Sequence, residues 1–404
     1  MSRSQVAPTR TTSLDGMREG RRTSRRRRLS VGAGLGRWRV VVTGAAVVAL
    51  AVSGCADFSA QDEQRAAGPF SSNDNTFTPK SEPPPTSTPP QSPPSGPCID
   101  PDPAVIATCL ESTAGIAPGD ESGQSTVVAE RTTGKIITQQ RYGPHRELGS
   151  VPVDSSGDGG LIDFAFSPTY SQDRLIYALI TTPSDNRIVR LAPGDVAKPI
   201  LVGIPKGATG NMGSMYFRSP TELIVATGNA GNPAAASDRS SLAGKILLVT
   251  ALGSGANPPP KILASGMGSA VALCPNPATG ALYVADQTAT EDRLQAIEDA
   301  GPKVLWTWPD KPQIAGCAAA AGSIYVSTTR TQHIEAVNEP TRERPTITAP
   351  VVVLERRYGA LGRMTALPNG LIQFATLNKE RGRPTPNDDR VAIIQGGASG
   401  DNRA

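Results

Sequence analysis

Six segments of one kind recur through the chain beyond Cys109. They are "STVVAE" (125–130), "LIYALIT" (175–181), "LIVATG" (223–228), "LYVADQ" (282–287), "IYVSTT" (324–329) and "LIQFAT" (371–376). Each is a β-branched and aromatic run preceded by a small-residue strand and a polar turn. Successive starts lie 50, 48, 59, 42 and 47 residues apart. A period of this size with several strands per unit belongs to propeller blades, and a two-sheet sandwich does not account for it. The repeats predict an all-β chain: a six-bladed β-propeller whose blades are four-stranded antiparallel sheets around a central channel, spanning residues 98–396. "DDRVAIIQ" (388–395) reads as a spare strand after the sixth unit, able to close the ring by pairing into the first or the last blade. Residues 397–404 are a tail outside the repeats.

The repeats leave the first 97 residues outside any packed core. Residues 3–39 hold eleven arginines against Asp15 and Glu19, a local charge of +9. An uncharged run from Val40 to Gly54 follows and ends at Cys55. A membrane-spanning helix needs about 20 apolar residues, so this shorter run suits a signal peptide over residues 1–54. "VSGC" places small residues before Cys55, the pattern of a bacterial lipoprotein box, and predicts that Cys55 carries the lipid after cleavage. "SRRRRL" weakly resembles a twin-arginine export signal, which leaves the export route open. The expected location is the outer face of the cytoplasmic membrane, held there by the lipid.

From Cys55 to Pro97 the sequence reads as a stalk. "TPKSEPPPTSTPPQSPPSGP" contains nine prolines, a composition that favours extended polyproline II and cannot bury a core. Charge follows the same division. The whole chain is +4; less the +9 of residues 1–54, the mature part is −5. A mildly acidic domain without a Lys/Arg cluster is not built to bind nucleic acid. Its expected partners are the membrane, through the anchor, and a small-molecule ligand or an envelope protein.

Cysteine usage agrees with export. Setting Cys55 aside leaves Cys98, Cys109, Cys274 and Cys317, an even number for an oxidising compartment. Cys274 lies eight residues before Leu282 and Cys317 seven before Ile324, nearly equivalent positions in consecutive repeats. Inner strands of adjacent blades are neighbours, so the repeat predicts Cys274–Cys317, with Cys98–Cys109 as a staple where the stalk enters. No CxxC or Cys/His cluster supports a zinc site.

Three segments carry more than a generic propeller pattern: "GDGGLIDFAFSPTYSQDRLIYALIT" (157–181), "TELIVATGNAGNPAAASDRSSLAGKILLVT" (221–250) and "NPATGALYVADQTATEDRLQAI" (276–297). They resemble the soluble glucose/sorbosone dehydrogenases, six-bladed propellers that use pyrroloquinoline quinone (PQQ) and calcium. The stalk, the lipoprotein box and phrases such as "TWPDKP" (307–312) are also similar to a mycobacterial lipoprotein, which implies an actinobacterial relative. The family resemblance implies a histidine base acting on a sugar hydroxyl and arginines that hold the quinone. Aligned on Phe217 and "ATGN", the family's His-x-Gly-Gly-Arg phrase falls on "GNMGS": the histidine position is Gly210, the first glycine Met212, the kept glycine Gly213 and the arginine Ser214. A second arginine position, aligned on "NPATG", is Gly268. Asp158 partly matches an early Gln/Glu position.

The resemblance therefore implies the fold while the sequence departs from the family's chemistry. No catalytic residue is assigned, no cofactor is expected, and a working PQQ- and calcium-dependent sugar or aldehyde dehydrogenase with a rearranged site is the alternative. Neither histidine replaces the base by position: His145 lies in a polar turn of the first blade and His333 follows the second strand of the fifth. Asp158, Asn211, Asn229, Asp286 and Arg363 are the polar residues expected at the channel mouth. Asn229 and Asp286 read first, individually, as turn-capping or blade-linking groups. Asp/Asn oxygens leave a calcium site open, without any EF-hand-like spacing to define one.

Overall fold

The second strand of each repeat is the most deeply buried part of its sheet in the computed structural model, which describes residues 94–255 and 258–397. Ile176–Thr181 is buried along its whole length, as is Ser323–Thr328. Both faces of such a strand are covered because neighbouring blades pack on it, so the sequence is continuously apolar rather than alternating. The signal peptide, Cys55 and nearly all of the stalk lie outside the described residues, and so does the tail from residue 398.

The described residues form six four-stranded sheets, each antiparallel and each consecutive in the chain except the last. Blade 1 comprises Thr113–Pro118, Ser125–Glu130, Lys135–Gln140 and Arg146–Ser150. Blade 2 comprises Leu161–Phe166, Ile176–Thr181, Asn186–Leu191 and Lys198–Ile204. Ser214–Ser219, Glu222–Ala226, Lys245–Val249 and Lys261–Ser265 make blade 3. Blade 4 is Ala270–Pro275, Leu282–Gln287, Asp292–Glu298 and Gly301–Trp308. Blade 5 is Ile314–Ala320, Ser323–Thr328, His333–Asn338 and Val351–Glu355. All six recurring sequence segments fall on second strands.

Blade 6 corrects one expectation. Val391–Gln395 is not a spare strand but the blade's third, following Leu361–Ala366 and Leu371–Thr376. Its outer partner is Val105–Ala107 from the other end of the domain, paired through Val105↔Ala392 and Ala107↔Val391. The ring thus closes with a strand from the N-terminal side of the propeller. Ile106, Ala107 and Leu110 pack with Val128 and Val391, between the last blade and the first. A buried Arg390–Asp100 ion pair of 3.1 Å and the Tyr358 hydroxyl, donating to Asp102 at 2.8 Å, hold the closing segment further.

Both disulfides form as the sequence predicts. Cys98–Cys109 brackets the closing strand, with Cα atoms 5.6 Å apart, and Cys274–Cys317 joins the inner strands of blades 4 and 5, with Cα atoms 5.5 Å apart. Both separations suit a bridge without backbone movement. The core is distributed: separate apolar clusters lie between successive blades, such as Leu179, Ile188, Met215, Leu223 and Leu247 between blades 2 and 3.

Candidate functional site

The six inner strands leave a channel, and Arg363 of blade 6 divides it. The Arg363 Nη1 donates to the Val271 carbonyl at 3.1 Å and Nη2 to the Gly213 carbonyl, so one side chain ties blades 6, 4 and 3 across the axis. Its Nε is buried without a hydrogen-bond partner. Asp163 of blade 2 faces the same centre, where its Oδ2 accepts the Met215 N–H at 2.8 Å and its Oδ1 the Phe164 N–H at 2.9 Å. Burial pushes the Asp163 carboxyl up to about 6, against the opposing pull of the Arg363 charge and the two backbone donors. Burial also lowers the Arg363 guanidinium from its ordinary value.

On one side of Arg363 the channel opens into a cavity of ≈ 200 Å³. The charged and amide side chains on its wall, beside Thr113, Thr209, Ser269 and Thr329 and a larger apolar part, are Arg131, Asp158, Gln287, Gln313, Glu380, Arg381 and Arg363 itself. Most stand at or just beyond the end of a blade's second strand, or in the connection leading to the next inner strand. Arg131 follows Glu130, Gln287 ends its strand, and Glu380 and Arg381 follow Thr376. The Arg131 guanidinium pairs with Glu380 at 2.5 Å and also donates to the Gly159 carbonyl. On the other side of Arg363 is a wider funnel of ≈ 890 Å³ with a largely apolar wall, including Phe164, Met215, Leu273, Ala320 and Met364.

The loop 207–213 brings Thr209, Gly210 and Met212 to the polar cavity. Asp158 shapes this loop: its Oδ2 accepts the Gly210 N–H at 2.7 Å, and its Oδ1 accepts the Asn211 N–H at 3.2 Å and the Asn211 Nδ2 at 2.6 Å. Gly210 has φ +82°, and an added Cβ would overlap the Gly231 nitrogen and stand 2.8 Å from the Asn229 Oδ1. At Gly268 an added Cβ would overlap the Gln287 carbonyl oxygen and lie 2.9 Å from the Thr288 nitrogen. Ser214 faces the funnel, and its Oγ accepts the Leu273 N–H at 2.8 Å, linking blade 3 to blade 4.

Of the five polar residues expected at the channel mouth, Asp158 and Arg363 line the cavity; Asn211, Asn229 and Asp286 do not. Local backbone demand explains the difference. Buried Asn211 spends its amide on Asp158, Gly207 and Asn186. Asn229 caps its own turn through the Gly231 N–H. Asp286 is fully buried inside blade 4, where it accepts from Arg293, Gln295 and the Gly268 N–H. His145 sits 2.8 Å from the Thr108 carbonyl and His333 lies between Glu335 and Glu355, both away from the cavity. Among the described residues, no group of three or more His, Cys, Asp or Glu is placed to hold a metal.

Sequence reading missed Arg131, Gln287, Gln313, Glu380 and Arg381. A signal was present: residues just past the second strand of each repeat arrive at the same mouth of the channel. Applied to all six repeats, that rule reaches the cavity at three, through Arg131, Thr329 and Leu377, and Gln287 stands one residue earlier at the end of its strand.

The fold and cavity define a class: a six-bladed propeller with a pocket of small-molecule size at one mouth of its channel. Within that class, the chain belongs to the glucose/sorbosone dehydrogenase family, whose model matches residues 112–313, half of the sequence. A PQQ-bound aldose sugar dehydrogenase from Streptomyces coelicolor is similar at 28% identity, covering 72% of this chain and 96% of that one with a TM-score of 0.64. A glucose dehydrogenase-type oxidoreductase from Thermus thermophilus is similar at 25% identity, over 72% and 98% of the two chains, with a TM-score of 0.62. The soluble aldose sugar dehydrogenase of Escherichia coli shares the fold at 15% identity, over 72% and 98%, with a TM-score of 0.59. No curated protein matches the chain.

Proposed function

We propose that this protein is a cell-envelope lipoprotein, anchored through Cys55, whose dehydrogenase-type propeller binds a small polar ligand rather than oxidising a sugar. The backbone at the two aligned glycines carries the reading. Gly210 and Gly268 occupy the positions that the resemblance assigns to the base and to a quinone-binding arginine, and neither has room for a side chain. Ser214, at the other arginine position, is turned to the funnel and used between blades. The residues present thus do not fit PQQ as the family holds it, and no oxidation step is assigned to them.

What remains suits binding: a closed-ended polar cavity on a rigid ring, with its groups on strand ends and short connections. The alternative is a PQQ- and calcium-dependent dehydrogenase with a rearranged site. One observation favours it, the presence of Arg131, Arg363 and Arg381 on the cavity wall. Titrating purified protein with PQQ and calcium separates the two readings. The expected outcome is no quinone absorbance change and none on adding glucose; a bound chromophore reduced by an aldose would sink the binding reading.

A further inference from the structure

Of the charged side chains around the cavity, one guanidinium has no partner within the described residues. Arg131 is matched by Glu380 at 2.5 Å, and the Asp158 carboxylate accepts three hydrogen bonds from the Gly210–Asn211 segment. Arg363 is opposed by Asp163 on the far side of the channel centre. Arg381 is exposed at the cavity wall, and within the described residues its guanidinium has no hydrogen bond or ion pair. Neutral groups on the same cavity wall are also unspent. The Gln313 side-chain amide and the Thr209 hydroxyl make no hydrogen bond within the described residues. Gln287 donates its Nε2 to the Ile314 carbonyl at 2.7 Å, which leaves its Oε1 as an acceptor.

A guanidinium without a partner selects a carboxylate, whose two oxygens match its fork of donors. An amide, a hydroxyl and a carbonyl-type acceptor on the wall of the same cavity select hydroxyl groups, which both donate and accept. Together these groups specify one chemical class. We infer that the cavity takes a polyhydroxylated monocarboxylate, a sugar acid of the aldonic or uronic kind. Its carboxylate rests on Arg381 and its hydroxyls on Thr209, Gln287 and Gln313. Thr209, Gln287 and Gln313 lie within the span that matches the family and Arg381 beyond it, so the residue that selects the charge stands in the sixth blade. The inference rests on the binding reading above and adds the ligand's charge.

Calorimetric titration of the full-length protein in detergent tests it, with gluconate, glucuronate, glucose, acetate and PQQ as separate titrants. Gluconate or glucuronate is expected to bind at least about tenfold more tightly than glucose, which lacks the charge-assisted hydrogen bonds to Arg381, and than acetate, which lacks the hydroxyls. Arg381→Gln should abolish that preference without moving the melting temperature, since the residue is exposed and unpaired. Gln313→Leu should weaken acid and neutral sugar alike. Equal affinity for glucose and gluconate overturns the charge assignment and leaves the pocket reading standing. Equal affinity for acetate and gluconate reduces the site to a simple anion site and overturns the sugar component. Binding of PQQ alone, or of none of the five, overturns both.

Discussion

At the residue scale the proposed binding reading rests on Gly210 and Gly268, where an added Cβ would first meet backbone atoms. A histidine at Gly210 would need an L-residue at φ +82° and a Cβ overlapping the Gly231 nitrogen. Strain of this kind costs about 1–3 kcal/mol before the overlap is counted. Gly210→His and Gly268→Arg are therefore each expected to destabilise the protein by at least about 2 kcal/mol in denaturant unfolding, and neither should restore quinone binding. Asp163 sets a second residue-scale expectation. Its carboxyl is raised to about 6 in the folded state by burial, above its value in an unfolded chain. Between roughly pH 4 and 6 the native state therefore holds the extra proton, so this group's contribution to stability falls as pH rises through that window. Asp389, also raised to about 6 by burial, acts in the same direction. Asp163→Asn should flatten the decline between pH 4 and 6 in thermal melts; an unchanged slope would show that Asp163 is not the titrating group.

At the scale of elements, the ring depends on two joints. The buried Cys274–Cys317 bridge ties adjacent inner strands of blades 4 and 5. Replacing both cysteines by alanine is expected to cost about 2–4 kcal/mol, measured by denaturant titration under oxidising conditions. The closing strand matters more. Val105, Ile106 and Leu110 are each at most 3% exposed, and burying a side chain of this size contributes about 1.5–3 kcal/mol. Deleting residues 98–110 removes all three and an entire strand ladder. The loss is comparable to the whole stability of a typical domain, about 5–15 kcal/mol. The truncated protein is expected to lose its cooperative unfolding transition, whereas reducing Cys98–Cys109 alone should only lower its midpoint.

On the scale of the whole molecule, the channel has two unlike ends. One is a small cavity ringed by strand ends and connections that carry Arg131, Gln287 and Arg381; the other is a broader funnel, and Arg363 stands between them. The guanidinium bridges three blades, so Arg363→Leu should both weaken the ring and join the two spaces. A lowered melting temperature together with loss of ligand selectivity is the expected pair of changes. Under the proposed anchoring, the domain displays this channel outside the membrane on a proline-rich stalk. Cys55→Ser is then expected to shift the protein from the detergent-extracted membrane fraction to the soluble fraction on cell fractionation, with ligand binding unchanged.

The fold was legible because second strands are buried on both faces. Burial of that kind writes a continuous apolar run into the sequence, six times at nearly constant spacing, and places Cys274 and Cys317 at equivalent points of successive repeats. Ring closure was not legible, since nothing in "AVIATC" announces a partner at Val391 nearly three hundred residues away. The site was legible in part. Asp158 and Arg363 reach the cavity, while Asn211, Asn229 and Asp286 spend their polar atoms on nearby backbone and blade partners, an outcome fixed by geometry that composition does not encode. Sequence alone determined the blade count, the disulfide pairing and the absence of a histidine at Gly210. Only the tertiary structure decided that Arg131, Gln313 and Arg381 share one cavity, because ring closure brings together residues from blades far apart in the chain.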